Sequence, residues 1–253
     1  MQKNYETIKN NLVTDLRAFI HGAGFRSVTF GLSGGMDSAL TLALCVSALG
    51  AENVHTAMMT TKNTTQLSID LANEIAKNFG TNHRTIDIQP LVDMTMKTAG
   101  NPTDKIAIEN IQARVRGMLC MTWSNEFGHM VMANGNKSEA AMGYCTLYGD
   151  TVGAVAPLGD LYKTEVYALA ELFPEIPRGI ITRPASAELS PGQKDSDSMP
   201  EYHVLDPILA HIIDGAPAPA GADKELLKLT EKRYNANAFK RAQMAPVLKV
   251  RGS

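Results

Sequence analysis

Apolar positions alternate between two rhythms along the first hundred residues. Ile8, Leu12, Leu16, Phe19 and Ile20 recur at helical spacing and predict an amphipathic first helix, ended by Gly22 and Gly24. Ser27–Phe30 is a short β-prone apolar run, and Ala39 to Leu49 returns to helical periodicity within a helix from Ser38 to Leu49, stopped at Gly50. Asn53–Thr60 and Asn82–Ile88 predict strands, separated by a helix over Leu67–Phe79 with Gly80 past its end. Pro90–Thr98 predicts a short helix closed by Ala99-Gly100-Asn101-Pro102. Strands alternating with helices at this spacing predict an α/β fold: a doubly wound parallel sheet with helices on both faces. Ligands in such sheets lie beyond the carboxyl ends of the strands.

The second half continues the pattern with more polar connections. A long helix is predicted from Ile106 to about Phe127, with Ile108, Ile111, Val115, Met118, Leu119 and Thr122 as its apolar stripe. Asn110, Arg114, Gly117 and Met121 share another face, open to solvent, a partner chain or a ligand. His129–Ala133 predicts a buried strand that runs into a polar loop, Asn134 to Glu139. After a turn at Gly149–Gly153, a helix is predicted over Tyr162–Leu172, with Lys163 in its first turn. A cation there opposes the helix dipole, which leaves two readings, a ligand contact or a solvated side chain. Arg183–Pro200 is a long polar segment of the kind that forms lids or stays disordered. Asp206 is expected to cap a helix with Pro207 at its first position, running to Ile213. A last helix follows the Ala/Pro-rich break at 216–221, from Asp223 to about Tyr234, and the basic pair Lys240-Arg241 is expected in solvent.

The richest chemistry lies between the first strand and the second helix, in Gly31-Leu32-Ser33-Gly34-Gly35-Met36-Asp37-Ser38. Strand, small-residue turn and helix start together present backbone N–H groups and a positive helix end to an anion. The glycines permit positive φ and let a phosphate approach without meeting a Cβ. Ser33 and Ser38 add hydroxyl donors. Asp37 would repel phosphate unless a divalent cation lay between them, so the loop reads as a nucleotide–Mg²⁺ site. It is neither a Walker loop, for lack of the G-K-[ST] ending, nor a G-x-G-x-x-G fingerprint.

Bulk composition narrows the alternatives. The 253 residues are read as a single unit over 1–253, and 44% apolar with 20% charged residues is ordinary for a soluble globular chain. A net charge of −2 argues against general nucleic-acid or membrane binding. Without a signal-like N-terminus or a spanning apolar run, the expected location is cytoplasmic. Cys45, Cys120 and Cys145 lack zinc or disulfide spacing; the first two read as core fillers.

Beyond the glycine loop, seven further segments carry a likeness to one family. They are Glu109-Asn110-Ile111-Gln112-Ala113-Arg114-Val115-Arg116, Gly135-Asn136-Lys137-Ser138-Glu139, Thr146-Leu147-Tyr148-Gly149-Asp150, Ala156-Pro157-Leu158, Tyr162-Lys163-Thr164-Glu165-Val166-Tyr167, Arg183-Pro184-Ala185-Ser186-Ala187-Glu188-Leu189 and Pro191-Gly192-Gln193-Lys194-Asp195. With these, the chain resembles the NAD synthetases of the ATP pyrophosphatase superfamily from about residue 27 to 248. The resemblance implies an adenine nucleotide alpha hydrolase-like fold and a ligase that amidates deamido-NAD⁺ to NAD⁺. ATP would be the co-substrate and Mg²⁺ the cofactor, with AMP and pyrophosphate as products. It further implies that Gly31, Leu32, Ser33, Gly34, Gly35, Met36, Asp37, Ser38, Asn134, Lys163 and Ser186 contact ATP, with Asp37, Lys163 and Glu139 catalytic. Asp37 and Glu139 would hold the metal, and Arg114, Glu139 and Lys240 would contact deamido-NAD⁺. A homodimer joined along the long helix is implied, with the 110/114/117/121 face turned towards partner and ligand.

Three positions depart from the family pattern. Asn134 stands where a Thr is common, Leu147 where ammonia-dependent members have a Lys, and Phe239 where they have a His. The last two resemble the synthetase portion of glutamine-dependent enzymes, which also carry an amidase domain with a catalytic Cys. A chain of this length has no room for one, so free ammonia or a separate glutamine amidotransferase is the expected nitrogen source. Two other function classes fit the glycine loop alone: another amidating ATP pyrophosphatase, and a nucleotide-binding regulatory module without turnover.

Overall fold

A computed structural model describes residues 4–250 of the chain. Four strands, β1 (Val28–Gly31), β2 (Val54–Thr60), β3 (Asn82–Asp87) and β4 (Met130–Val131), form one parallel sheet in the order β3-β2-β1-β4. Side chains alternate across it with period two. Met58 joins the core on one face, whereas Ala57 and Met59 join the core on the other. The first face is covered by α1 (Tyr5–Gly22), α2 (Met36–Leu49), α3 (Gln66–Phe79) and α7 (Lys163–Ala170). The second is covered by α4 (Gln89–Thr98) and α5 (Lys105–Phe127). This is the doubly wound arrangement that the alternating pattern predicts. Among the described residues no helix is long and apolar enough to cross a membrane.

Strand order places the site. The chain works outwards from β1 through β2 to β3, then crosses by α4 and α5 to lay β4 on the opposite side of β1. Connections leaving β1 and β4 therefore diverge, opening a crevice beyond their carboxyl ends. β4 is short, and isolated bridges (Met132 with Val155, Ala156 with Val247) extend that side of the sheet. At the other edge, β3 exposes Asn82, Arg84, Thr85 and Asp87, polar groups that discourage strand addition.

Four expectations are corrected. In α5 the buried residues are Gln112, Ala113, Val115, Gly117 and Cys120, while Met118 of the predicted stripe is exposed. A pattern of apolar residues could not register that a glutamine and a glycine occupy the inner face. The second face of α5 meets the chain's own turn. Asn110 accepts from Thr146 Oγ1 at 2.6 Å, Arg114 Nε donates to the Leu147 carbonyl at 3.2 Å, and a Cβ on Gly117 would meet the Gly149 carbonyl at 2.9 Å. The supposed loop at 134–139 contains the start of α6 (Lys137–Met142). Finally, α9 runs Tyr202–Asp214, so Pro207 sits inside it and Asp206 does not cap it. Expecting a proline at the first helical turn placed that start too late. Among the described residues three further helices are α8 (Arg178–Thr182), α10 (Lys224–Ala236, capped by Asp223) and α11 (Ala238–Arg241).

One pH dependence arises in the sheet. His83 Nδ1 bonds Thr56 Oγ1 at 2.8 Å, and burial pushes the imidazole pKa below its usual value. Its folded-state pKa is depressed, so the unfolded chain takes up the proton first as pH falls. The neutral imidazole's contribution is complete above the unfolded pKa of about 6.5 and declines below it. His83→Asn should therefore lose less stability than the unaltered chain between pH 7 and pH 5, as read from urea midpoints. Parallel midpoints would remove His83 from the titration.

Candidate active site

β1 delivers the glycine loop to the crevice. Gly34 has φ 74°, and a Cβ there would lie 2.4 Å from the Ser68 carbonyl of α3. Only glycine satisfies both demands. Gly34→Ala should distort the loop and weaken nucleotide binding by at least tenfold, measured by calorimetry against Mg-ATP; wild-type affinity would show that the loop tolerates the side chain. Ser33 N donates to Ser38 Oγ at 3.2 Å, and Gly35 N donates to Ser33 Oγ at 3.2 Å, so the hydroxyls brace the turn. Gly35 caps α2 without a side-chain hydrogen bond, which leaves the helix end to a ligand.

A second loop closes from β4. Asn134 Nδ2 donates to the Gly31 carbonyl at 2.9 Å, and Asn136 Nδ2 donates to Asp37 Oδ1 at 2.9 Å. Asn136 also caps α6 reciprocally with Glu139: Glu139 N donates to Asn136 Oδ1 at 3.0 Å, and Asn136 N donates to Glu139 Oε2 at 3.3 Å. The capping box thereby fixes the carboxylate that faces Lys163.

Lys163, the first residue of α7, is buried, and its Nζ donates to Asp37 Oδ2 and to Glu139 Oε1, the latter at 3.4 Å. The solvated reading of this lysine is therefore wrong. α7 is held from below: Lys163 N donates to Ser138 Oγ at 3.0 Å, Ser138 Oγ donates to Asp206 Oδ1 at 2.6 Å, and Thr164 N donates to Asp206 Oδ2 at 2.8 Å. Asp206 thus serves the start of α7. Burial alone would push the Lys163 ammonium pKa down, but Asp37 and Glu139 outweigh it and hold the pKa above the ordinary lysine range. Burial and the neighbouring Asp37 push the Glu139 carboxyl up to about 8.

Gly31, Leu32, Ser33, Gly35, Met36, Asp37, Ser38, Asn134, Glu139, Lys163 and Ser186 all line one cavity of about 290 Å³. Gly34 is the exception within the glycine loop. The 183–189 segment forms another wall, tied down where Asn63 Nδ2 and Gln112 Nε2 each donate to the Leu189 carbonyl at 2.8 Å. Arg114 and Lys240 are not brought in. Arg114 is exposed, and Lys240 Nζ donates to the carbonyls of Gly143 and Cys145 at 2.8 Å each. The basic pair is therefore not simply solvated, since Arg241 also donates to the Tyr234 carbonyl at 2.7 Å. Cys45 and Cys120 are buried as expected, and burial pushes both thiols up, Cys120 to about 11.

Sequence reasoning passed over Arg183, Glu188 and Asp195, which line the same cavity. Asp195 accepts from Tyr202 OH at 2.8 Å, and burial raises its carboxyl pKa. A clue was present in the polar 183–200 run, where charged residues stand among Pro and Gly in a segment too long for a plain connection.

The donor set suits magnesium. Asp37 and Glu139 are hard oxygen donors that converge on the Lys163 ammonium, and among the described residues no group of three or more His, Cys, Asp or Glu could hold a metal unaided. Magnesium is commonly bound by one or two carboxylates, with substrate phosphates and water completing its shell.

Comparison with known proteins agrees with this geometry. A sequence model of the NAD synthase family matches residues 8–244. The glutamine-dependent NAD(+) synthetase of Acinetobacter baylyi is 44% identical over 253 residues, covering 94% of this chain and 47% of that protein. The chain thus spans about half the length of the curated relatives it matches. The NH3-dependent NAD synthetase of Campylobacter jejuni superposes with a TM-score of 0.80 at 27% identity, covering 98% of this chain and all of the other. The NMN synthetase of Francisella tularensis superposes with a TM-score of 0.82 at 26% identity, covering 93% and 96% of the two chains. Their fold is the adenine nucleotide alpha hydrolase-like sheet expected from the sequence. A glycine loop braced by serines, a cavity walled by the segments singled out in the sequence, and a family match over nearly the whole chain agree: this chain belongs to the NAD synthase family.

Proposed function

We propose that the protein joins ammonia to the nicotinate carboxylate of deamido-NAD⁺, consuming ATP and releasing AMP and pyrophosphate. The observation that carries this reading is the pairing of half-buried Asp37 and Glu139 with the buried Lys163 at the glycine loop. In the first step a carboxylate oxygen bonds to the α-phosphorus, and the bond to the bridging oxygen breaks with its electron pair leaving on pyrophosphate. Ammonia then attacks the carbonyl carbon of the mixed anhydride, AMP departs with the electron pair of the C–O bond, and the nitrogen sheds a proton.

The residues supply binding and electrostatic stabilisation. Backbone N–H groups from Ser33 to Ser38 and the free end of α2 receive the phosphates, and Asn134 and Ser186 position the nucleotide. Asp37 and Glu139 would hold Mg²⁺, which offsets phosphate charge when bound. Lys163 balances both acids and supports the charge that gathers at the α-phosphate. Outside the monomer's cavity, Arg114 and Lys240 fit a dinucleotide that extends to a second subunit. Exposed Ile106, Met118 and Met121 on α5 support pairing of two copies along that helix.

Free ammonia, or ammonia released by a separate glutaminase, is the proposed nitrogen donor. A non-catalytic regulatory role fits less well, because paired acids around a phosphate loop suit metal-assisted chemistry. The protein is to be incubated with Mg-ATP, deamido-NAD⁺ and either ammonium or glutamine, and NAD⁺, AMP and pyrophosphate followed. NAD⁺ and AMP in equal amounts with ammonium are expected. ADP in place of AMP would overturn the mechanism, and nucleotide binding without turnover would favour the regulatory role.

A further inference from the structure

The cationic side chains lining the cavity among the described residues are Arg116, Lys163 and Arg183. The charge of Lys163 is taken up by Asp37 and Glu139. Arg116 is directed at the end of β2, where Nε and Nη2 donate to the Met59 carbonyl at 3.2 and 2.9 Å. Lys163 reaches the glycine loop through the Asp37 side chain, whereas Arg183 touches the loop's backbone. Its Nη1 donates to the Gly34 carbonyl at 3.4 Å and to Ser68 Oγ at 2.9 Å, and its Nη2 donates to Glu188 Oε1 at 2.7 Å.

The Glu188 side of this pair is built to let the arginine go. Glu188 Oε1 also accepts from Ser68 Oγ at 2.7 Å and from Thr65 Oγ1 at 3.0 Å. If the guanidinium departs, the carboxylate keeps two hydroxyl donors and is not left bare, which removes much of the cost of separating a half-buried pair. Glu188 has φ 48°, a left-handed backbone uncommon for a side chain of this size, so its placement is held by its surroundings. The guanidinium, by contrast, sits on a loop facing the cavity, beside the turn that would receive phosphate.

We infer that Arg183 is a leaving-group residue: on nucleotide entry its guanidinium exchanges Glu188 for oxygens of the β- and γ-phosphates and holds the pyrophosphate as the α–β bond breaks. The planar fork matches two phosphate oxygens at once. The electron pair released from the α-phosphorus lands on a pyrophosphate oxygen, and Arg183 offsets that charge from beside Gly34, while Lys163 stands beside Asp37. This inference rests on the proposed nucleotide chemistry and goes further, because it assigns a catalytic contact to the 183–189 wall.

Magnesium pyrophosphate and AMP are the probes, titrated calorimetrically into the wild type, Arg183→Met, Arg183→Lys and Glu188→Gln. Arg183→Met should bind pyrophosphate about tenfold to hundredfold more weakly, the loss expected for one charged hydrogen-bonding group. AMP affinity should stay within about twofold in that variant, since AMP lacks the phosphates concerned. Glu188→Gln removes the competing charge and should bind pyrophosphate at least as tightly as the wild type. Arg183→Lys should fall between the wild type and the Met variant, and it decides the matter alone if the Met variant does not fold. Unchanged pyrophosphate affinity in the arginine variants would overturn the inference, as would equal weakening of both probes by Arg183→Met and Glu188→Gln, which would make the pair a structural clasp. A wild type that binds neither probe would instead overturn the nucleotide reading itself.

Discussion

Asp37→Asn is expected to lower NAD⁺ formation by about 10³-fold while shifting the thermal midpoint by less than about 3 °C. Asparagine keeps the shape and retains an oxygen for the Asn136 amide, which donates to Asp37 Oδ1 at 2.9 Å. The loop's own bracing through Ser33, Gly35 and Ser38 does not involve the carboxylate. Lys163 would retain Glu139 as a counter-charge. What disappears is an anionic oxygen donor at the glycine loop. Steady-state turnover and a melting curve on the same preparation provide the check; matched losses of activity and stability would make Asp37 a structural residue.

Lys163→Met should damage both properties. The ammonium is buried between Asp37 and Glu139, and its removal leaves two acids facing each other without it. Breaking a buried ion cluster from one side costs about 3–5 kcal/mol, here towards the lower end because Glu139, already pushed up to about 8, can take a proton. The midpoint should fall by roughly 6–12 °C at 2–4 °C per kcal/mol for a chain of this size. Millimolar Mg²⁺ should restore part of that loss in the variant and do less in the wild type, because a divalent ion can replace the missing positive charge. Melting curves with and without Mg²⁺ read this directly. A variant indifferent to the ion would argue that the two acids do not share a cation.

Much of the architecture was legible because it is written in periodicity. The β1–α2 junction, the switch from period two to 3.6 and the glycine stops all survive in the fold. Where apolar rhythm gave out, so did the reading. Pro207 misled the start of α9, because its tolerance inside that helix depends on packing that no local pattern records. Met118 was assigned to the core because it is apolar, whereas Gln112, which donates to the Leu189 carbonyl, took an inner position for its amide. The candidates expected on the ATP side, Gly34 apart, line one cavity, since loops at adjacent strand ends must meet. Arg183 and Glu188 were missed for the opposite reason. Their partners, Gly34, Thr65 and Ser68, lie more than a hundred residues earlier, and only folding brings them together.

Asp206 carries one more consequence. The start of α7, and with it the placement of Lys163, is braced by a residue of α9 that is synthesised some forty positions later. A polypeptide emerging from the ribosome therefore exposes its glycine turn long before the brace exists. Throughout that interval it would carry a half-made crevice, and an early stop anywhere upstream of α9 would yield a product whose buried Lys163 has lost its footing.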